Sequence, residues 1–404
     1  MTLSEELTWR GFINQTTYKD ISVLDGQPIS FYFGVDPSSN SMTIGNLAAA
    51  MLVRHFIDHG HNAYLLVGGA TGMIGDPDGK KDERNLLTLD DINSNKQAIA
   101  DQYNTVFEGK DFTVVDNYDW FKDVNYIDFL RNVGKNVPLS QMLGRDFVQS
   151  RLGTDGSGIS YAEFSYSLIQ GYDFVHLNRE HDVSLQLCGA DQWGNSLAGV
   201  DLIRRLDNKE AHVFSTPLII NKATGAKFGK TEDGAIWLDP TKTSVYDFYQ
   251  FWLNVGDESV GELLRAYTLL SREEIEVLES QMAENPAART AQKALAQAVT
   301  TIVHGPKRTV SVQKVTAVLF GDAPFSELSF DDIDILTTQI PTVELGITII
   351  EALVQSGIAS SNGEARRLLE GNAVSVNGEK TMVDSKIDTQ SLIKKGKNNF
   401  VLVR

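Results

Sequence analysis

Tyr166, Gln170 and Asp173 are spaced i, i+4 and i+7, so on a helix a phenol, a carboxamide and a carboxylate stand one above another along a single stripe. Pointing inward together, they would suit a small polar ligand that brings an ammonium group or a hydroxyl donor. Phe164, Leu168, Tyr172 and Val175 collect on roughly the opposite side of the same segment. A solvated face would be dressed in Lys, Arg and Glu, yet from Leu152 to Asn178 there is no Lys or Arg. Two readings fit this pattern: a stripe that lines a cavity, or a polar stripe buried against a neighbouring domain.

The elements around that helix end in groups that handle phosphates and amines. Ile29–Val35, which includes Tyr32 and Gly34, reads as a buried strand, and Asp36-Pro-Ser38-Ser-Asn-Ser41 as a turn rich in capping residues. Thr43-Ile-Gly45-Asn46 then opens an apolar helix towards His59. Strand, turn and helix make half of a nucleotide-binding βαβ unit, with unpaired N–H groups and the helix dipole favouring phosphate. Ala63–Val67 is a second strand, emptying into the glycine-rich stretch Gly68–Arg84. No Walker P-loop can be placed there; Asp76 would face an ammonium and Lys80 or Arg84 a phosphate, unless the stretch is simply a solvated loop. Val183–Leu187 is another strand, followed by Gly189-Ala-Asp191-Gln192-Trp-Gly194-Asn195. Ligands of open α/β sheets bind beyond such strand ends. In Gly225-Ala-Lys227-Phe-Gly229-Lys230-Thr231, two lysines flanked by glycines could close over a triphosphate; taken alone, the pair reads equally as solvated surface.

At 404 residues, 42% hydrophobic and 22% charged, the chain has the composition of a globular protein of two or three domains. No apolar run reaches membrane-spanning length, and the acidic start lacks the pattern of a signal or transit peptide. With one cysteine, Cys188, an internal disulfide is excluded, and a cytoplasmic location is expected. The net charge of −17 argues against a polyanionic partner until its distribution is considered. Residues 345–404 hold eight Lys/Arg against six Asp/Glu, leaving 28 against 47 in the preceding 344.

Residues 90–160 read as mainly helical, with Trp120, Phe121, Phe129 and Leu130 as core, and the pattern is helical again from Val245 to His304. Gly321–Thr342 is acidic and reads as a connector, the alternative being a further packed helix. The last sixty residues form a compact unit with an Asn377-Gly378 hairpin between Ala373–Val376 and Lys380–Val383. Arg366, Arg367, Lys394, Lys395 and Lys397 could make a phosphate-facing patch there.

Five blocks, in this order and spacing, closely resemble the bacterial tyrosyl-tRNA synthetases: Tyr32 to Ser38, Val67 to Pro77, Phe164 to Phe174, Ala190 to Asn195 and Lys227 to Thr231. The resemblance spans nearly the whole chain, its end being similar to an S4-type RNA-binding domain. It implies an α/β fold: a Rossmann-type parallel-sheet catalytic domain over 1–220 with a helical insertion, the KFGKT loop and a helical anticodon-binding domain over 221–320, a linker over 321–344, and a small α+β S4-like domain over 345–404. The implied activity joins L-tyrosine to ATP, with Mg²⁺ accompanying the nucleotide, releases pyrophosphate and passes the tyrosyl group to tRNA(Tyr), usually in a homodimer. By the same resemblance Tyr32 and Asp173 would hydrogen-bond the substrate phenol, and Asp76, Tyr166 and Gln170 its ammonium, with Gln192 nearby. Gly34, Asp36, Ser38, Gly45, Gly189, Asp191 and Lys230 would receive ATP. Thr43, Asn46, Lys80, Arg84, Lys227, Lys230 and Thr231 would act on its phosphates.

One departure stands out. The family's HIGH motif has histidine first and last, where this chain has Thr43 and Asn46. Asparagine can still donate a hydrogen bond, but a threonine hydroxyl is short and neutral and would reach a phosphate only through water. This leaves room for an RNA-binding or regulatory protein on a decayed synthetase scaffold, and for a ligase of another aromatic amino acid, although Tyr32 with Asp173 favours a hydroxylated ring. Thr43→His is expected to speed amino-acid activation by about one to two orders of magnitude, the scale of one stabilising donor; an unchanged pyrophosphate-exchange rate would refute this.

Overall fold

Short apolar runs bounded by Gly, Asp and Asn become strands here because both faces of a parallel sheet are covered and alternation is not needed. The computed structural model describes residues 1–76, 87–144, 146–152, 158–220, 222, 225, 227–231 and 234–404, with backbone alone for Gln141, Asp146, Phe147, Ser150, Lys230 and Thr231. Two units result: Met1–Thr243 with Trp252–Val299, and Ser244–Phe251 with Thr300–Arg404.

In the first unit the strands are β1 (Gln15–Thr16), β2 (Ser30–Val35), β3 (Asn62–Val67), β4 (Thr113–Asp116), β5 (Val183–Gly189) and β6 (His212–Thr216). Their order across the sheet is β1-β6-β5-β2-β3-β4. β2 to β6 are parallel to their neighbours, and only β1 is antiparallel, on β6. The chain order therefore reverses between β2 and β5, the switch point at which doubly wound sheets open a crevice.

The helix Tyr161–His181 leads into β5. Its start is capped by Ser160, whose hydroxyl accepts from the Glu163 N–H at 3.2 Å, while the Glu163 carboxylate takes a bidentate pair from buried Arg151 at 2.9 and 2.8 Å. Asp182 ends it in the left-handed region, φ 51°. Buried residues ring this helix rather than forming one stripe. Its close partner is the helix Trp193–Asp207: a Cβ on Gly199 would stand 2.8 Å from Phe174 Cβ, and one on Gly171 3.0 Å from Leu202. The two glycines let the backbones approach and so fix the depth at which Tyr166, Gln170 and Asp173 sit.

Three elements differ from expectation. The glycine stretch after β3 begins as a helix, Gly69–Ile74, because its first N–H groups find acceptors far along the chain: Gly69 donates to Asp116 Oδ1 at 3.1 Å and Ala70 to Asn117 Oδ1 at 2.7 Å. The described residues of 90–160 are mainly helical, as expected, but also contain the strand β4, which pairs with β3. Within 321–344, expected as a loose connector, Phe330–Gln339 is a helix with a Ser329 cap answered by Asp332, and Thr342–Val343 pairs with Leu402–Val403.

In the second unit that pairing completes a five-stranded sheet with Val374–Val376, Glu379–Lys380, Ser391–Lys395 and Asn399–Val403. Asn377 and Gly378 turn the hairpin with φ of 50° and 90°, as a two-residue primed turn demands, although the outgoing strand stops at Lys380. Ile349, Leu353, Ala365, Leu369, Ile393 and Val401 form the core beneath. Arg366, Arg367 and Lys397 are exposed, whereas Lys394 donates to the Leu319 carbonyl at 3.1 Å. Gly199→Val should lower first-unit stability by about 1–3 kcal/mol through overpacking against Phe174, read as a lower urea midpoint.

Candidate active site

The ends of β2 and β5 open into a cavity of about 400 Å³. Tyr32, Gly34, Asp36 and Ser38 line it from β2 and the turn beyond; Thr43, Gly45 and Asn46 from the start of the helix Ile44–Asp58. Tyr166, Gln170 and Asp173 project from the central helix, Gly189, Asp191 and Gln192 from the end of β5, and Asp76 and Lys227 complete the wall. The stripe thus faces a cavity within the first unit. Lys80 and Arg84 lie outside the described residues, as do the side chains of Lys230 and Thr231.

At the inner end a buried carboxylate is held from two sides. Asp173 Oδ2 accepts from Asn117 Nδ2 at 3.1 Å and Oδ1 from Trp120 Nε1 at 3.0 Å, with the indole stacked on His176 at 4.3 Å. Burial pushes this carboxyl well above the usual range, against the pull of those two donors, and Asp36 and Asp116 push the same way. Beside it the Tyr32 hydroxyl is buried with no partner among the described residues, and its ionisation is pushed up by burial and then by Asp173. A buried unpaired hydroxyl costs stability; a ligand hydroxyl between Tyr32 and Asp173 would satisfy both.

Further out, Asp36 organises a second set. Tyr166 donates its phenol to Asp36 Oδ2 and Thr71 its hydroxyl to Oδ1, both at 2.6 Å, and Asn117 donates to Thr71 at 3.0 Å. Asp36, expected among nucleotide contacts, is thereby turned towards Tyr166. With its proton committed, the Tyr166 oxygen is left as an acceptor. Gln192 Nε2 donates to Asp76 Oδ2 at 2.5 Å, and Gln170 Oε1 is buried without a partner among the described residues. Asp36, Asp76 and Asp173 all act on Tyr166, after burial, to raise its ionisation. Lys227 is the only Lys or Arg among the described lining residues, and its amine lies 3.2 Å from Asp191. An excess of carboxylates facing inward suits a cationic ligand.

At the mouth, the Asn46 carboxamide oxygen accepts from the Thr43 N–H at 2.9 Å and the Thr43 hydroxyl at 3.0 Å. The hydroxyl that stands where the resembled family has histidine is therefore spent on the helix start. The segment carrying Lys227 packs on the same turn: Gly229, at φ +86°, sits so close to Ile44 that a Cβ would approach its Cγ1 to 2.4 Å.

Sequence reasoning missed Thr71, Asn117 and Gln186, and read Trp120 as core alone; the ring does pack on the core, but its indole N–H also holds Asp173. Gln186 had a signal, a carboxamide between Leu185 and Leu187 in a mostly apolar strand. It pairs in register with Tyr32, lines the cavity, and its Oε1 is buried and unpartnered among the described residues. Asn117 and Trp120 reach the site only because β4 lies beside β3, which local pattern does not reveal.

Comparison with known proteins agrees with this architecture. A family model described as tRNA synthetases class I (W and Y) matches residues 24–321, and one described as the tyrosine–tRNA ligase SYY-like C-terminal domain matches 332–404. The tyrosine–tRNA ligase of Rhodopirellula baltica is 42% identical, covering 100% of this chain and 96% of that one; tyrosine–tRNA ligase 1 of Enterococcus faecalis is 42% identical, covering 100% and 99%. Among solved structures, a C-terminally truncated mitochondrial tyrosyl-tRNA synthetase of Aspergillus nidulans aligns with TM-score 0.69 at 28% identity, over 77% of this chain and 92% of that one. Tyr32→Phe should stabilise the ligand-free protein by about 1 kcal/mol, the penalty of an unmade buried hydrogen bond; an unchanged or lower urea midpoint would mean that the hydroxyl is satisfied.

Proposed function

The chain belongs to the class I tyrosine–tRNA ligases, and from that membership we propose that it activates L-tyrosine with ATP and transfers the tyrosyl group to tRNA(Tyr). The observation that carries the reading is the unpartnered Tyr32 hydroxyl beside the doubly held Asp173 carboxylate. A substrate phenol entering between them would meet one donor and one acceptor, whereas phenylalanine would leave the buried Tyr32 hydroxyl unmet and bring Asp173 no further donor. At the other end Tyr166, Gln170 and Asp76 offer three acceptors, which matches the three N–H bonds of an ammonium, with Gln192 bracing Asp76.

Held at both ends, the amino acid directs its carboxylate towards the mouth of the cavity. A carboxylate is already a nucleophile at neutral pH, so attack on the α-phosphorus needs no base; the oxygen–phosphorus bond forms as the bond to pyrophosphate breaks. We assign ATP to Gly34, Ser38, Gly45, Gly189 and Asp191, with Asp36 behind them. Lys80, Arg84, Lys227, Lys230 and Thr231 would stabilise charge on the phosphates, alongside the N-terminus of the helix Ile44–Asp58 and Asn46. Thr43 would contribute chiefly by holding Asn46. Mg²⁺ enters with ATP as part of the substrate. A tRNA ribose hydroxyl then attacks the tyrosyl carbonyl carbon, and AMP leaves.

We take 1–220 as catalytic, 221–320 as anticodon-binding and 345–404 as an RNA-binding tail whose exposed Arg366 and Arg367 face phosphate. A homodimer suits the exposure of Tyr126, Ile127, Leu139, Leu152 and Tyr161 between β4 and the central helix. Among the described residues no helix is long and apolar enough to cross a membrane, and a cytoplasmic location fits the tRNA and ATP requirement. The decisive experiment is ATP–pyrophosphate exchange without tRNA in the presence of tyrosine, phenylalanine or tryptophan. Exchange with tyrosine alone is expected; none from folded protein that still binds tyrosine would favour the decayed-site alternative, to which the engaged Thr43 hydroxyl points.

A further inference from the structure

Tyr267 is the last residue of the helix Asp257–Tyr267, fully buried, and it lines the cavity from a part of the chain that carries none of the motifs. Its hydroxyl donates to the Ile44 carbonyl at 3.1 Å, in the first turn of the helix that begins with Thr43 and Asn46. Its ring closes a triangle with Trp252 and Phe228, the centroids lying 4.7, 5.7 and 6.1 Å apart. Phe228 is the neighbour of Lys227. One side chain therefore touches both segments to which phosphate handling is assigned.

The two segments also meet directly. Gly229 is pressed on Ile44, its carbonyl accepts from Ile236 at 3.0 Å, and the Ile236 carbonyl accepts from the Ile44 N–H at 3.1 Å. Tyr267 is itself anchored from behind. Arg10, buried, donates to the carbonyls of Arg265, Thr268 and Leu270 at 3.0, 3.0 and 2.8 Å, fixing the end of the helix that presents the phenol.

We propose that Tyr267 is a positioning residue for amino-acid activation: its O–H bond to Ile44 and its ring contact with Phe228 set the spacing between the helix start at Thr43–Asn46 and Lys227. The proposal rests on the functional reading above. Both groups act on the transferring phosphate and neither grips the tyrosine ring, so an error in their spacing slows the chemical step and leaves tyrosine binding intact.

The test is Tyr267→Phe, which keeps the ring and removes only the hydroxyl. Tyrosine-dependent pyrophosphate exchange should lose on the order of tenfold in kcat, with the tyrosine KM unchanged and the thermal midpoint only slightly lowered by the loss of one buried hydrogen bond. In a Lys227→Ala background the same change should cost much less, because the spacing then serves nothing. Equal losses in both backgrounds, or a kcat loss matched by a rise in tyrosine KM, would overturn the proposal in favour of plain packing. Trypsin cleavage after Lys227, followed by mass spectrometry on the intact chain, gives a readout independent of activity. It should be several-fold faster in Tyr267→Phe, and an unchanged rate overturns the proposal whatever the exchange assay gives. Absence of exchange in the unsubstituted protein would instead count against the functional reading.

Discussion

Placing an acidic side chain in a dry interior is costly unless donors surround it, and the burial of Asp173 is the constraint on which the first unit depends. Its two donors, Asn117 and Trp120, both follow β4, so β4 must be in the sheet and its end must face the central helix. Asn117 then does more than pair with Asp173. Its oxygen caps the helix Gly69–Ile74 and its amide also reaches Thr71, which leads on to Asp36 and Tyr166. A single buried carboxamide links the inner end of the cavity to the outer set of acceptors, so the two ends cannot drift apart independently.

Charge gives the cavity its second character. The chain as a whole is strongly acidic, and the cavity concentrates that sign, with Asp36, Asp76 and Asp173 acting on one phenol. Among the described lining residues the one cation, Lys227, stands near Asp191. Such a gradient would draw an amine inward and hold a phosphate at the mouth, the orientation that the proposed reaction requires.

Much of this was legible in the chain before folding. β2, β3 and β5 announce themselves as apolar runs ending in Gly and Asp, and the spacing of Tyr166, Gln170 and Asp173 already put three polar groups on one face. The hairpin at Asn377-Gly378 is equally local. What local pattern could not convey was partnership across the sheet: the helix Gly69–Ile74 exists because Asp116 and Asn117 cap it from 47 residues away, and Trp120, which does pack on the core, gives no local sign that its indole N–H also holds Asp173. The acidic stretch over 321–344 misled for a related reason. Asp331 and Asp332 read as connector composition, but they are the first turn of a helix, where negative charge complements the dipole.

The strand β1 is only two residues long, yet it lies antiparallel along β6 and occupies what would otherwise be the open margin of the sheet. Residues 15 and 16 leave the ribosome long before residues 212–216, so the guard for that margin is made first and waits for the strand it protects. From the moment β6 emerges, Phe214 and Ser215 have a partner on the same chain. A nascent polypeptide whose six-stranded sheet is assembled from segments nearly 200 residues apart thus meets that margin with a partner of its own.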